Sequence, residues 1–165
     1  MQLWVIRHAI AFPRVNPDCP PDPLRPLTER GRRRMQAAAR GLQELGVTPI
    51  RSLTSPFIRA QETAEIVLDA LQITRDSLEE NTDLLPGADP IDLLNNLFLK
   101  NVDTAVFGHA PHLDRLIAAA TNSSGDYTEL KKGGTACLEF QGARDNTAIL
   151  RWLMTPRSLR QIGGA

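Results

Sequence analysis

Short apolar runs alternate with longer amphipathic segments along the first 120 residues. The apolar runs are residues 3–6 and 104–107, and the mixed segment 50–54 predicts a further strand. Runs this short, bounded by polar residues, predict strands that are buried on both faces. Apolar residues at helical spacing predict helices in segments 28–45, 55–71, 91–98 and 111–120. Alternation of this kind predicts an α/β fold with a mainly parallel central sheet and helices on both faces.

Residues that favour helix ends mark the predicted boundaries. Thr28 is expected to be the N-cap of the first helix, and Gly46 lies just past its end. Ser55 and Pro56 are expected to be the N-cap and the first residue of the second helix. Pro111 fits the same first position in the fourth helix.

The second half of the chain contains less regular patterns. Residues 83–90 predict a strand end followed by a turn, and the polar, glycine-rich segment 122–134 predicts a loop. Residues 135–140 and 147–153 predict a hairpin with its turn at 142–146. The tail after Pro156 is expected to be weakly ordered.

Composition gives no reason to expect a strongly charged partner. The chain has 19 Lys and Arg and 19 Asp and Glu, so neither nucleic acid nor a membrane surface is expected to bind it. A cytoplasmic location is expected, because no apolar run approaches the ~20 residues that span a bilayer. Cys19 and Cys137 have no metal-ligand spacing and are expected to be reduced thiols. The length suits one domain, residues 1–165.

Three predicted strand-to-helix junctions each present a cation or an imidazole. Arg7 and His8 end the first strand, Arg59 lies in the first turn of the second helix, and His109 follows the strand at 104–107. Ligands of open α/β sheets bind beyond the carboxyl ends of the strands, so these side chains are expected to converge. Two arginines and two histidines predict a pocket for a doubly charged phosphoryl group.

This set of residues predicts phosphoryl transfer through a covalent intermediate. His8 is expected to attack phosphorus in line, and Arg7, Arg59 and His109 are expected to hold the equatorial oxygens. Water then hydrolyses the phosphohistidine. No metal or other cofactor is expected, because the guanidinium groups supply the positive charge.

Two other charged features allow more than one interpretation. The proline-rich loop at 13–23 either borders the active site or is a solvated connection, and both interpretations stay open. The arginines at 30, 32, 33 and 34 resemble a binding patch, but the solvated face of the first helix is the favoured interpretation. A cation such as Arg59 in the first turn of a helix is disfavoured by the helix dipole. We therefore expect Arg59 to be placed for a ligand, and an ion pair with a nearby carboxylate is the alternative.

Four motifs carry a resemblance to a known family. They are residues 7–9 (RHA), 27–31 (LTERG), 55–64 (SPFIRAQETA) and 108–111 (GHAP). Together they resemble the histidine phosphatase (phosphoglycerate mutase-like) superfamily, and residues 85–90 with the short length resemble its SixA-type phosphohistidine phosphatase branch. The resemblance implies a three-layer α/β/α sandwich. It also implies that His8 is the nucleophile, that Arg7 and Arg59 bind the phosphoryl group, and that His109 is the second histidine.

The chain departs from the family pattern at three points. Ala9 replaces the usual glycine, and His112 stands where a small residue is common and is expected at the pocket rim. A carboxylic general acid is not identified; the candidates are Asp18, Asp22, Asp83 and Asp89. Without an acid, the site is expected to favour a phosphoramidate, because imidazole leaves far more readily than an alkoxide.

The expected function is hydrolysis of phosphohistidine on a protein, such as a histidine phosphotransfer domain. One alternative is a phosphatase for small phosphate esters, and another is a phosphoprotein-binding module without turnover. A metal-dependent hydrolase using His109 and His112 is less favoured, because the spacing is i,i+3 and the nearby arginines repel a cation.

Overall fold

The computed structural model of the protein describes residues 1–125, 128–141 and 147–164. Six strands form one sheet in this part of the chain. They are β1 (Gln2–Arg7), β2 (Arg51–Thr54), β3 (Leu78–Glu80), β4 (Thr104–Gly108), β5 (Thr135–Phe140) and β6 (Ala148–Met154). Their order is β3-β2-β4-β1-β5-β6. The first four in this order are parallel, and β5 and β6 are antiparallel to their neighbours.

Helices cover both faces of the sheet. They are α1 (Glu29–Glu44), α2 (Ile58–Leu71), α3 (Pro90–Lys100), α4 (His112–Ala120) and α5 (Pro156–Ile162). Because side chains alternate along a strand, Leu3 and Val5 of β1 pack with α3 and α4, whereas Trp4 and Ile6 pack with α1, α2 and α5. The predicted three-layer α/β/α sandwich with a mainly parallel sheet is confirmed.

Two of the predicted helix starts differ from the structure. Thr28 caps α1 as predicted, and its Oγ1 accepts a hydrogen bond from the Gly31 N–H (2.9 Å). Ser55 does not cap α2, because its N–H donates to the Phe107 carbonyl (2.9 Å) and continues the extended chain beyond β2. The N-cap is Phe57 instead. Pro111 is the N-cap of α4 rather than its first residue.

The arginine-rich segment at the start of α1 lies on the surface. The arginines at 30, 33 and 34 are exposed, and Arg32 pairs with Glu62 of α2. The favoured interpretation of a solvated helix face is therefore confirmed.

The segment before α3 contains a strand that the sequence pattern does not predict at this place. β3 covers three residues at the edge of the sheet, and a 3₁₀ turn at Thr82–Leu84 follows it. Residues 83–90 therefore contain a turn but no strand end. Asp89 caps α3, since its side chain accepts from the Ile91 N–H (2.9 Å).

The chain after Pro156 forms α5, where a weakly ordered tail was predicted. Leu159 is fully buried, and α5 lies so close to α1 that a Cβ added at Gly41 would overlap the Leu159 carbonyl oxygen. β5 and β6 pair as the predicted hairpin, whereas its turn at 142–146 lies outside the described residues.

Two further features bear on the sequence predictions. Cys19 and Cys137 are free thiols, and burial raises the pKa of Cys137 to about 11. Within the described ranges, no helix has the length and apolar character needed to cross a membrane.

Candidate active site

The carboxyl ends of three neighbouring parallel strands form the floor of the candidate site. β1 and β4 pair with Arg7 level with Gly108, and β2 lies on the other side of β4. His8 follows β1, His109 follows β4 and Ser55 follows β2. The sheet therefore brings together side chains that are 47 to 101 positions apart in the sequence.

The two imidazole rings lie close together and are shielded from solvent. The ring centroids of His8 and His109 are 5.1 Å apart, and the residues are 6% and 2% exposed. Phe57 packs on His109 at the same centroid distance of 5.1 Å. The hydroxyl of Ser55 lies 2.9 Å from His109 Nε2, while no described residue is a hydrogen-bond partner of His109 Nδ1.

A backbone contact determines which nitrogen of His8 carries the proton. His8 Nδ1 is 2.7 Å from the carbonyl oxygen of Ala9, and a carbonyl only accepts, so Nδ1–H is the donor. In the neutral ring, Nε2 then has a free lone pair, and it accepts from Arg59 Nε (3.3 Å). Nε2 is the nitrogen beside the arginine, and it is the one that can attack an electrophile.

Both rings are neutral at neutral pH. Burial lowers the pKa of His8 to about 3. The hydrogen bond to Ala9 raises this pKa, whereas the charges of Arg59 and Arg7 lower it further. Burial lowers the pKa of His109 to about 2, with further effects from His8 and Arg59. An unprotonated His8 is the form that a nucleophilic role requires.

Arg59 is held on several sides at the start of α2. It is 2% exposed, and its guanidinium lies over the Phe57 ring at 4.7 Å from the centroid. Nη1 donates to the backbone carbonyl of Asp22 (2.7 Å) and Nη2 to its carboxylate (3.2 Å). The ion pair that was the alternative for Arg59 therefore exists, and the same arginine also contacts His8.

Arg7 approaches the site from the end of β1. Its Nη1 donates to the Leu130 carbonyl (2.5 Å), and its buried Nε has no partner in the described part of the chain. Burial lowers the pKa of Arg7, while the charge of Asp114 opposes that shift.

A cleft of about 380 Å³ opens over the two histidines. The cationic side chains that line it are Arg7, Arg14, Arg25, Arg59 and Lys132. Phe12 and Pro13 form part of its wall. The proline-rich loop therefore borders the site, which was one of its two open interpretations.

Asp22 joins three arginines of this cleft. Its Oδ1 accepts from Arg14 Nε (2.9 Å) and Arg25 Nε (2.8 Å), and its Oδ2 accepts from Arg59. Burial alone would raise the pKa of Asp22, but the hydrogen bond from Arg14, the charge of Arg59 and the hydrogen bond from Arg25 outweigh it and hold the pKa at about 2. Asp22 is thus ionised at neutral pH and has no proton to donate.

The other candidate acids and His112 are not among the residues that line the cleft. Asp18, Asp83 and Asp89 do not line it. His112 is 1% exposed and is the first residue of α4, which packs on the sheet, so the prediction that it lies at the pocket rim is wrong. Burial lowers the pKa of His112, and neither ring nitrogen has a partner among the described residues.

Two supporting residues were not identified from the sequence. Thr63 Oγ1 accepts from the Ala9 N–H (3.0 Å) and donates to the Arg59 carbonyl (2.6 Å), which ties the segment after His8 to α2. Gly133, at φ 79°, donates its N–H to the carbonyl oxygens of Arg7 (3.0 Å) and His8 (3.1 Å). Thr63 lies within the 55–64 motif, which was a signal that could have revealed it.

The site offers no set of ligands for a metal ion. Across residues 1–125, 128–141 and 147–164, no three His, Cys, Asp or Glu side chains are grouped so that they could hold one. The pair of His109 and His112 considered from the sequence is split, since His109 lines the cleft and His112 does not.

Similarity to known proteins agrees with this geometry. The model of the histidine phosphatase superfamily (branch 1) matches residues 3–84. An uncharacterised protein of Picosynechococcus sp. (strain ATCC 27264 / PCC 7002 / PR-6) is 33% identical over 172 residues, which cover 93% of this chain and 99% of the relative.

Solved structures share the fold over nearly the whole chain. The protein histidine phosphatase SixA complexed with tungstate has a TM-score of 0.85 and 27% identity, covering 96% of this chain and 99% of that one. A mycobacterial glucosyl-3-phosphoglycerate phosphatase complexed with VO3 has a TM-score of 0.71 and 15% identity, with 93% and 99% covered, and shares the fold. The protein belongs to the histidine phosphatase superfamily, in its SixA-type branch.

Proposed function

We propose that the protein hydrolyses phosphohistidine on a protein substrate through a covalent intermediate on His8. The observation that carries this proposal is the neutral, buried His8 ring, whose Nε2 accepts from Arg59 and whose centroid lies 5.1 Å from that of the second histidine. The likeness to SixA, which was solved with tungstate, supports a phosphoryl group as the ligand of this cleft.

The first step transfers the phosphoryl group to His8. The Nε2 lone pair forms a bond to phosphorus while the P–N bond of the substrate breaks, and the departing imidazole takes a proton from water. Arg59 Nε–H loses its acceptor when Nε2 binds phosphorus, so it becomes free to donate to a phosphoryl oxygen. Arg7, Arg59 and His109 stabilise the negative charge of the equatorial oxygens.

The second step returns the enzyme to its starting state. Water attacks phosphorus, the bond between phosphorus and Nε2 breaks, and inorganic phosphate leaves with the remaining proton in solution. His8 is again neutral with its proton on Nδ1. Its pKa of about 3 favours this form, because an unprotonated ring can accept the next phosphoryl group.

The charge state of Asp22 supports a phosphoramidate rather than an alkyl phosphate as substrate. An alkoxide needs a proton donor to leave, and Asp22, the candidate acid that contacts the site, is ionised. Imidazole is a much better leaving group and accepts a proton from solvent.

The loop beside the cleft supports a protein as the carrier of the phosphohistidine. Val15 and Leu24 are 94% and 54% exposed and are the sequence neighbours of Arg14 and Arg25, which line the cleft, so these apolar side chains can contact a protein docked over it. The cationic lining also suits a small phosphate ester, which remains the second candidate substrate.

Trapping the phosphorylated enzyme tests the mechanism. After brief mixing with a ³²P-labelled phosphohistidine donor, we expect a protein adduct that is labile in acid and stable in base. The His8→Ala variant should still bind inorganic phosphate but form no adduct and show no turnover. An adduct of the same amount in His8→Ala would contradict the proposal, and binding without turnover in the wild type would favour a non-catalytic binding module.

Comparing substrates tests the proposed specificity. We expect kcat/KM for a phosphorylated histidine phosphotransfer domain to exceed that for an alkyl phosphate by at least about 100-fold, because general acid catalysis is worth roughly 10²–10⁴-fold. The double variant Val15→Ser, Leu24→Ser should lose activity on the protein substrate and retain it on p-nitrophenyl phosphate. Equal kcat/KM values for the two substrate classes would favour the small phosphate ester.

A further inference from the structure

The cleft carries more positive charge than one phosphoryl group requires. Arg7 and Arg59 supply two positive charges beside His8, which matches a doubly charged phosphoryl group. Arg14, Arg25 and Lys132 line the same cleft. Asp22 is the carboxylate that contacts this group, and it is shared among three arginines. The phosphoryl group and Asp22 together offset three of these five positive charges, and the further carboxylate charge of Asp114 acts on Arg7.

Lys132 is fixed close to His8 by its neighbour in the chain. The N–H of Gly133 donates to the carbonyl oxygens of Arg7 and His8, which holds the main chain at Lys132 next to the strand end. The ammonium group of Lys132 makes no ion pair with the described residues. Burial lowers the pKa of Lys132, and the charges of Arg7, Arg25, Arg14 and Arg59 lower it further. Four arginines are thus near enough to repel this ammonium group.

Arg14 and Arg25 also line the cleft, and both contact Asp22. Arg25 donates from Nε to Asp22 (2.8 Å) and from Nη1 to the Phe12 carbonyl (2.6 Å), and its side chain is 10% exposed. Arg14 contacts the same Asp22 oxygen but its side chain is 69% exposed. Arg25 is therefore a fixed cation of the cleft, whereas the exposed side chain of Arg14 can change its conformation when a ligand binds.

A cluster of like charges lowers stability unless an anion completes it. The neighbouring Lys131 shows the ordinary arrangement, since it pairs with Glu129 (2.5 Å) and does not line the cleft. Lys132 instead lines the cleft together with Arg14 and Arg25, which share the single carboxylate of Asp22, so an anionic ligand bound there would neutralise the remaining positive charge.

We propose that Lys132, Arg14 and Arg25 form a second anion subsite at the mouth of the cleft. It takes a second acidic group, a phosphate or a carboxylate, that lies near the phosphoryl group of the substrate in space, such as the side chain of an acidic residue beside the phosphohistidine. This proposal rests on the proposed function and narrows its substrate class: the phosphorylated group has an acidic neighbour.

Calorimetric titration with non-hydrolysable ligands of matched length tests the subsite without depending on turnover. The probes are propylphosphonate, 3-phosphonopropionate and 1,3-propylenediphosphonate. We expect the two ligands with a second anionic group to bind the wild-type protein about tenfold more tightly than propylphosphonate, since each partly exposed ion pair adds up to about a factor of five. The carboxylate and phosphonate arms identify which anion the subsite prefers.

Two lysine variants locate the effect. In Lys132→Met, the preference for the two ligands with a second anionic group should fall to about threefold or less. The affinity for propylphosphonate should change by a smaller factor than this preference does. Lys131→Met is the matched control and should keep the full preference. Equal affinity of the wild type for all three ligands would overturn the proposal, and so would a preference that is the same in both variants. Phosphoenzyme trapping on His8 is a separate readout, so failure of the subsite and failure of the catalytic proposal are distinguishable.

Discussion

Thr63 is the residue through which the two halves of the site are joined. The Thr63 hydroxyl accepts from the Ala9 N–H and donates to the Arg59 carbonyl, so the chain after His8 and the first turn of α2 are held in a fixed relation. Ala9 has no positive φ, which explains why alanine is accommodated where the family usually has glycine. The position of the Arg59 guanidinium against His8 therefore depends on a residue outside the cleft lining.

Thr63→Val should reduce both stability and turnover. Valine has nearly the same shape but leaves the Ala9 N–H without an acceptor, which costs about 1–3 kcal/mol for a buried donor. We expect the free energy of unfolding in urea to fall by this amount and kcat on p-nitrophenyl phosphate to fall more than KM rises.

Thr121→Val is the control for the Thr63 substitution. Thr121 Oγ1 donates to the Ile117 carbonyl (2.8 Å) at the end of α4, so its loss should leave kcat unchanged. If kcat of Thr63→Val equals that of the wild type, Thr63 does not position the site.

At the residue scale, the sequence predicts the site residues that stand in local motifs. It does not predict those whose role depends on a contact with a residue far away in the sequence. Arg7, His8, Arg59 and His109 each lie at or directly after the end of a recognisable element, and the structure brings them to one cleft. The contact of Asp22 with Arg59 joins residues 37 positions apart, and the proline-rich loop has no periodicity that would place it. His112 is misplaced for a related reason, because the sequence does not show which way the first residue of a helix points.

At the element scale, the contact between α1 and α5 shows how packing can order a segment without a pattern of its own. Gly41 of α1 has no side chain, and the main chain of α5 fills that space with the Leu159 carbonyl. Leu159 itself is fully buried among residues of α1 and the sheet.

Gly41→Ala should lower stability even though alanine is the better helix former. The intrinsic gain is about 1 kcal/mol, whereas forcing a methyl group against a main-chain carbonyl costs about 1–3 kcal/mol and displaces α5. We expect a net loss in the free energy of unfolding and a lower Tm.

Gly87→Ala provides the comparison for Gly41→Ala. A Cβ at Gly87 meets no atom within 4 Å, so this variant should change the free energy of unfolding by no more than about 0.5 kcal/mol. A Gly41→Ala protein as stable as the wild type would mean that the two helices are not in the close contact described.

The two elements that the sequence pattern does not predict are the shortest strand and the shortest α-helix of the described structure. β3 has three residues and α5 has seven, too few for a period of two or 3.6 to be recognised. The longer elements, such as α1 and β5, were predicted because their apolar residues repeat over several turns or alternations. The late start of α2 has another cause, since the hydrogen bond from Ser55 to Phe107 is a long-range contact.

At the scale of the whole molecule, balanced charge conceals a polarised surface. The chain has a formal net charge of zero, yet five cations line one cleft. Composition alone therefore gives no indication of the electrostatic character of the site, which depends on how the fold distributes the charges.

Stability should fall in mild acid because three histidines are buried in the neutral form. The pKa values of His8 and His109 are lowered to about 3 and about 2, and that of His112 is also lowered. Below about pH 6.5 the unfolded chain takes up protons that the folded protein does not, so the stabilisation present above that pH is progressively lost toward pH 3. The slope is at most about 1.4 kcal/mol per pH unit for each histidine.

Urea unfolding at pH 7.5, 6.0 and 5.0 measures this dependence. The carboxylates with lowered pKa values, such as Asp22, remain ionised in this window, so the change reports on the histidines. His109→Gln should reduce the slope between pH 6.0 and 5.0 by about a third. A free energy of unfolding that is constant or rises as the pH falls would contradict the buried neutral histidines.

The hydrogen bond from His8 Nδ1 to the Ala9 carbonyl also predicts the isomer of the phosphoenzyme that we propose. With Nδ1 occupied, phosphorus can bond only at the ring nitrogen remote from the main chain, which yields the tele isomer. The pros isomer would require the ring to turn over and break that hydrogen bond. The ¹⁵N and ³¹P resonances of the trapped adduct should therefore be those of tele-phosphohistidine.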